Sequence, residues 1–504
     1  MDKRRFLSWA AAGAATLALP SCGGGGGSSG TVTPPVEPPA PADPLAAEWT
    51  ALAAQLGTGK LLRPGDADFA RLSPAANARF DAQSPRALLR AGSVADIAAG
   101  LATARRLALP LRLRGGGHSY IGNSSGGTLL IDVGALNAVR LEGDVAVVGA
   151  GATLADVYDA LIGQGRCIAA GSCLSVGIAG LSQGGGFGVR DREHGLTCDA
   201  LLAATMVNAE GQTLQIDAQR QPELFWGLRG GGGGNFGVVT EFRFRTHAVV
   251  PLTRFQADFK LDELPTVLAA WQAWPQTMPD GIWSQLAVSS AGLTLWGIAS
   301  TGLAELQAQW QGLLSRINAS AQSAQLRALS YREAMLDDCR NLSSAQCHLP
   351  AQNSAGVLGR VAMAASSDFF DRPIDAAGIE ALAGALRQRG LQPGMAVLNL
   401  MGGAIARVAE DDTAFIHRKA LFSAQYLAEY RPGTDAATLN EAAQWTHGLR
   451  QLLAPWSSGR AYQNYLDGLI TNPGEAYYGR HLARLQALKR SVDPSSLFKQ
   501  AQGL

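Results

Sequence analysis

The chain has 504 residues, 47% hydrophobic and 16% charged, and its 42 basic and 41 acidic side chains leave a net charge of +1. That balance offers no basic field for a nucleic-acid backbone, while the apolar mass is enough for more than one buried core. The seven histidines are scattered and none keeps the spacing of a metal cluster, so no metal site is expected.

The first 22 residues read as an address. Lys3-Arg-Arg-Phe-Leu7 is a twin-arginine start, and the apolar run from Trp9 to Leu19 is shorter than the roughly 20 residues a bilayer requires. Twin-arginine export carries proteins already folded, so a periplasmic destination is expected. Leu19-Pro-Ser-Cys22 resembles the lipidation site of bacterial lipoproteins, with Pro20 a loose fit. A lipid anchor at Cys22 and a soluble product cleaved nearby both remain open, and membrane contact is expected only through that anchor. Residues 23–44 are Gly/Ser-rich and then Pro-rich, without the apolar groups to fold, and form a tether. The remainder divides into a first lobe over 45–250, a second over 251–455 and a closing segment over 456–504.

In the first lobe, residues 93–109 open with a Ser cap and carry apolar positions at helical spacing. Leu111-Arg-Leu-Arg114 alternates as a short strand, followed by Gly115-Gly-Gly-His-Ser-Tyr120. Residues 128–132 and 145–148 read as buried strands, and Thr153 to Ile162 as a capped helix. Leu201–Val207 and 213–216 form a hairpin. A short helix over 223–229 runs into Gly230–Gly234, and 238–245 is a strongly alternating strand. The section from 252 to about 455 mixes amphipathic helices, strands and tryptophans. The pattern is α+β.

Glycine runs let backbone N–H groups approach phosphate oxygens, and Arg114 adds a charge beside the first. Runs at 115–117, 184–188 and 230–234 together favour a nucleotide cofactor over plain turns. Gly232-Gly-Gly-Asn-Phe-Gly237 has the GxGxxG spacing, but an alternating strand follows it where a dinucleotide site needs a helix, which argues against a Rossmann site. His118 follows one run directly, and Cys173 lies in another glycine-flanked turn, Gly171-Ser-Cys-Leu-Ser-Val-Gly177.

RLRGGGHSY, GSCLSVGIAGLSQGGGFGV and GGGGNFGVVTEFRF resemble the flavin domain of the vanillyl-alcohol-oxidase superfamily over about 85–250. AYQNYLD, followed by YYG and a DP…F…Q ending, resembles the closing segment of berberine bridge enzyme-like oxidases. The resemblance implies a two-lobed α+β fold. It comprises a PCMH-type FAD-binding domain and a substrate domain of antiparallel sheet covered by helices, with the C-terminal segment returning to the FAD domain. It also implies FAD held by two covalent bonds, His118 to the 8α-methyl carbon and Cys173 to C6. Arg114, Gly115, Gly116, Gly117, His118 and Ser119 would hold the pyrophosphate, and Val176, Gly177, Gly180, Gly186 and Val239 would line the rest of the groove. A small residue at Val176 goes with O2 as electron acceptor.

For catalysis a C–H bond must sit over the flavin, with a base for the adjacent hydroxyl proton. Tyr462 is the expected base, as a phenolate or through a neighbour that lowers its pKa. If 461–467 is a strand, Asn464 shares its face toward the flavin and Tyr465 packs on the opposite side. Tyr120 is placed at the substrate pocket. Asn399 stands where plant alkaloid-forming members carry a catalytic glutamate, so ring-closing chemistry is not expected. His481 stands where an asparagine is usual. Of the six cysteines, Cys339 and Cys347 bracket a short loop and are the expected disulfide. Cys167 and Cys198 are left as thiols, and buried thiols throughout are the alternative. The expected function is an exported FAD-dependent oxidase that takes a hydroxylated small molecule, a sugar or secondary alcohol, and passes its electrons to O2. A flavin dehydrogenase serving a quinone or protein acceptor and a non-catalytic binding lipoprotein are the other readings.

Overall fold

The computed structural model describes residues 43–57 and 60–504. The twin-arginine segment, Cys22 and nearly all of the tether lie outside the described residues. Among those described, no helix is long and apolar enough to cross a membrane.

The first lobe is built on two sheets. Ala87–Arg90, Leu129–Asp132 and Leu111–Arg114 run parallel, with Leu61–Leu62 antiparallel on the outer edge. The crossover between Ala87–Arg90 and Leu111–Arg114 is the helix Val94–Arg106, started by the Ser93 hydroxyl accepting from the Asp96 N–H. Leu88, Leu89, Leu129, Leu130 and Ile131 are all buried, as strands covered on both faces require. The second sheet is antiparallel, with Val238–Arg245 at its centre between Val145–Gly149 and Leu201–Val207. Thr153 and Asp156 close a reciprocal capping box on the helix Leu154–Ile162, which fixes the start of the chain segment beneath the Cys173 turn.

The second lobe is a seven-stranded sheet in the order Ser323–Leu329, Leu252–Phe259, Gly292–Ala299, Ile282–Ser289, Met395–Leu400, Phe422–Tyr430, Ala362–Phe370. All its pairings are antiparallel. One face packs on helices through Phe255, Leu286, Leu398 and Phe422. The other is polar for a sheet interior, with Gln285, Asn399, Ser423 and Gln425 at alternate positions. Cys339 and Cys347 form the expected disulfide; Cys167 and Cys198 are buried thiols.

After the helix Ala436–Leu453 the chain returns to the first lobe. Lys489 is the pin: its buried ammonium donates to Asn235 O at 2.6 Å, Asp493 Oδ2 at 2.7 Å and Phe498 O at 2.9 Å. Asn235 closes the third glycine run, so the pin ties that run to the tail. The tail also bonds Asn123 and Arg112 through Ala501 and Lys499. Breaking one partner of a buried, fully bonded ion pair leaves the other charge uncompensated and costs roughly 3–5 kcal/mol. Lys489→Met is therefore expected to lower the thermal unfolding midpoint by several degrees, while the exposed neighbour variant Arg490→Met leaves it within a degree or so. Equal midpoints for the two variants would show that the pin does not hold the tail.

Candidate functional site

The two anchor turns meet through crossed glycines. A Cβ on Gly116 would run into the backbone of Gly177, and one on Gly177 into that of Gly116, so only glycine allows this approach. The Cys173 turn is fastened to the helix below it, with Leu154 N–H bonded to Val176 O and Ala155 N–H to Leu174 O. The crossing brings His118 and Cys173 to one side chain: the His118 Nε2 lies 3.1 Å from the Ser175 hydroxyl, and the Cys173 thiol 3.8 Å from it. Cys173 is exposed. Burial lowers the His118 pKa to about 4, so the ring is neutral at physiological pH and keeps a nitrogen lone pair for bond formation.

Of the three glycine runs, the first has the character of an anion nest. Gly116 O accepts from Gln352 and Gly117 O from the Ala76 N–H, which turns the carbonyls away. No N–H of Gly116, Gly117 or His118 donates to another described residue. The N–H groups of the other runs are largely used inside the fold: Gly184 bonds Gly180 O, Gly185 bonds Ser182 O, and Gly230 and Gly232 both bond Gln183 O. Ser119 accepts from the Asn123 N–H at 2.9 Å. Beyond the nest, Gly180 is exposed and a Cβ there would meet nothing within 4 Å. Val176 is half-buried, whereas Gly177, Gly186 and Val239 are buried in the walls. Unused amides, an open glycine floor, an exposed thiol and a neutral imidazole fit FAD.

Arg114 lies beside the first glycine run. Its guanidinium is buried, paired with Asp132 at 2.8 Å and donating to Ser73 O and Pro74 O. It lines the cavity beside Gly115, Gly116 and Gly117, and its carbonyl bonds and the Asp132 pair fix its position there.

The structure gathers Tyr120, Tyr462, Asn464 and Tyr465. Residues 462–465 form a turn closed by the Tyr465 N–H on Tyr462 O at 2.8 Å, not the expected strand. Asn464 nonetheless reaches Tyr462, because the turn lets its amide donate to the Tyr462 oxygen at 2.9 Å. That oxygen also accepts from the Gly186 N–H at 2.8 Å. Tyr465 does not pack away. Its ring lies edge-on to Tyr462, at 4.8 Å between centroids, and parallel to Tyr120 at 5.5 Å. Burial raises all three phenol pKa values well above 10, against the hydrogen bonds that Gly186 and Asn464 give Tyr462. Burial among Phe187, Phe369 and Phe415 thus opposes the phenolate expected of Tyr462 more than its two donors favour it.

Asn399 sits on the polar sheet face, accepting from Gln285 Nε2 at 2.7 Å, and Gln285 in turn accepts from the Trp296 indole. Gln425, one strand over, donates to the Tyr120 oxygen at 2.7 Å. Gln285 and Gln425 are absent from the expected set, though polar residues at alternate positions of apolar strands are a legible signal. Ser175 and Asp191 are also absent from it. Asp191 bonds the Gly188 N–H and lies within electrostatic reach of Tyr465. Its carboxyl is pushed up to about 7 by burial, against Gly188 and the Arg192 charge. His481 is buried, with its ring between Asp411 and Ala414 O.

Two lobes, the nest and the polar sheet face define a flavin-dependent oxidoreductase of PCMH-type fold. The FAD binding domain family matches residues 85–217, and the family described as berberine and berberine like matches 461–504. The FAD-linked oxidoreductase YvdP of Bacillus subtilis is 31% identical over 464 residues, covering 89% of this chain and 98% of its own. A chitooligosaccharide oxidase of Gibberella zeae is 29% identical, covering 83% and 87%. Among solved structures, Physcomitrella patens BBE-like 1 aligns with a TM-score of 0.83 at 27% identity, over 90% of this chain and 98% of its own. The chain belongs to the berberine bridge enzyme-like family of FAD-linked oxidoreductases.

Asp191 gives a pH signature. Its folded pKa of about 7 lies above the model-peptide value of 3.8, so the folded state holds a proton that the unfolded state releases. Its contribution therefore lowers stability progressively from about pH 4 to pH 7 and is constant above. Asp191→Asn should be neutral near pH 4 and stabilising by up to roughly 4 kcal/mol above pH 7. Urea midpoints across that range check it; identical pH slopes in both proteins contradict it.

Proposed function

We propose that the chain is an exported oxidase that carries FAD on two covalent bonds, through His118 and Cys173, and oxidises a hydroxylated substrate. The approach of both side chains to the Ser175 hydroxyl, beside an exposed Cys173, is the observation that carries the reading. The twin-arginine start supports export, and a disulfide suits an oxidising compartment. The similarity to a chitooligosaccharide oxidase favours a sugar hemiacetal, giving a lactone, over other alcohols. Asn399, bonded to Gln285, offers no carboxylate where ring closure would need one.

FAD held by His118 and Cys173 would supply a two-electron acceptor for the substrate's hydride, with O2 as the proposed final acceptor and H2O2 as its product. The chain's own residues bind and orient. The polar sheet face, through Asn399 and Gln425, hydrogen-bonds substrate hydroxyls, and Tyr120 and Tyr465 provide a flat apolar wall. Tyr462 holds the reacting hydroxyl and takes its proton. The bonds its oxygen accepts from Gly186 and Asn464 are those a phenolate requires, and burial opposes ionisation. The approach of O2 is placed at Val176, half-buried beside the Cys173 turn.

A panel of sugars assayed for H2O2, and in parallel for bleaching of a dye acceptor under nitrogen, separates oxidase from dehydrogenase. Stoichiometric H2O2 is expected; dye reduction with little H2O2 would assign the electrons to a quinone or protein. With Tyr462 as base, kcat/KM should climb about tenfold per pH unit from 6 to 9 without a plateau, because the base is the minor ionised form. A plateau setting in near pH 7 would move the base to a group such as Asp191. Tyr462→Phe should lower kcat by roughly 10²–10⁴-fold at unchanged flavin content.

A further inference from the structure

We infer that Gln352, on the second lobe, is the positioning residue that holds the His118 and Cys173 turns at the separation needed for both flavin bonds. The inference rests on the two-bond reading above. The Gln352 Nε2 donates to Gly116 O at 2.9 Å and to Ser175 O at 2.7 Å. The first carbonyl lies two residues before His118 and the second two residues after Cys173. One planar amide nitrogen carries two N–H bonds at a fixed angle, so satisfying both carbonyls fixes the distance between the two turns.

The amide is itself held. Its oxygen accepts from the Leu349 N–H at 3.1 Å, and the turn is closed by Gln352 N–H on Leu349 O. Ahead of the turn the chain is clipped by the Cys339–Cys347 disulfide. His348 then clasps the first lobe, its Nδ1 at 2.9 Å from Ser344 O and its Nε2 at 3.0 Å from Asp156 Oδ1. Both ring nitrogens face acceptors, which favours the doubly protonated ring. Burial works against that charge, but Asp156 together with the Ser344 and Ala345 backbone outweighs it, raising the His348 pKa. Asp156 is also the capping-box residue of the helix under the Cys173 turn. A strap from the substrate lobe thus grips the floor and both turns of the cofactor site.

Each attachment replaces a flavin C–H and a protein N–H or S–H by one C–N or C–S bond. The two electrons and two protons released reduce one O2 to H2O2. Both bonds form only if the second turn meets the ring while the first holds it, so a loosened gap removes the second bond first.

The test uses full-length wild type and Gln352→Leu, each denatured, alkylated and mapped by peptide mass, with acid-stable flavin counted separately. The expected result is flavin retained on His118 together with a roughly tenfold rise in alkylated Cys173. Purely structural damage would lower both attachments together, and that overturns the inference. A variant with Cys173 as protected as in wild type also overturns it. If Gln352→Leu does not fold, Gln352→Asn, one methylene too short to reach both carbonyls, is read by the same criteria. Wild type with Cys173 fully alkylated removes the two-bond reading and the inference with it; wild type with both bonds and a variant that keeps both removes the inference alone.

Discussion

The contact between the backbones of Gly116 and Gly177 is the constraint on which the rest of the site depends. Two turns from different sheets can bring their next side chains to a common hydroxyl only if the chains cross without Cβ atoms between them. The crossing is supported from below by the Thr153 cap and the Leu154 and Ala155 amides. It is supported from beside by Arg114 and from the other lobe by Gln352. The amides of 116–118 are left without a partner among the described residues, which is what an anion nest requires.

The opposite wall is governed by desolvation. Burial raises the pKa of three phenols in an aromatic environment, and the side chains that hydrogen-bond on this wall include the amides of Gln285, Asn399, Gln425 and Asn464. Amides donate and accept without carrying charge, so such a face can bind several hydroxyls at low desolvation cost. Two ionisable groups flank this wall: Asp191, poised near neutrality by the second glycine run, and Glu429, within electrostatic reach of Tyr120 and with its carboxyl pushed up by burial.

Much of the first lobe was legible in the sequence because its signals are local. The Ser93 and Thr153 caps, the 201–217 hairpin and the alternation of 238–245 each depend on neighbours a few residues away. His118 and Cys173 stood out by their glycine settings. The turn at 462–465 was not legible, because Tyr-x-Asn alternation also suits a strand and the bond that bends it is Tyr465 N–H to Tyr462 O. The ion-pair partner of Arg114 was equally hidden, since Asp132 reaches it through pairing of parallel strands. Gln352 could not be found from sequence at all, its two acceptors lying 236 and 177 residues away.

The convergence of His118 and Cys173 is the central claim, and proteolysis of the denatured holoprotein tests it directly. The account predicts one yellow, flavin-bearing species in which the peptide containing His118 and the peptide containing Cys173 are joined through a single FAD. Two separate colourless peptides of unmodified mass would contradict it.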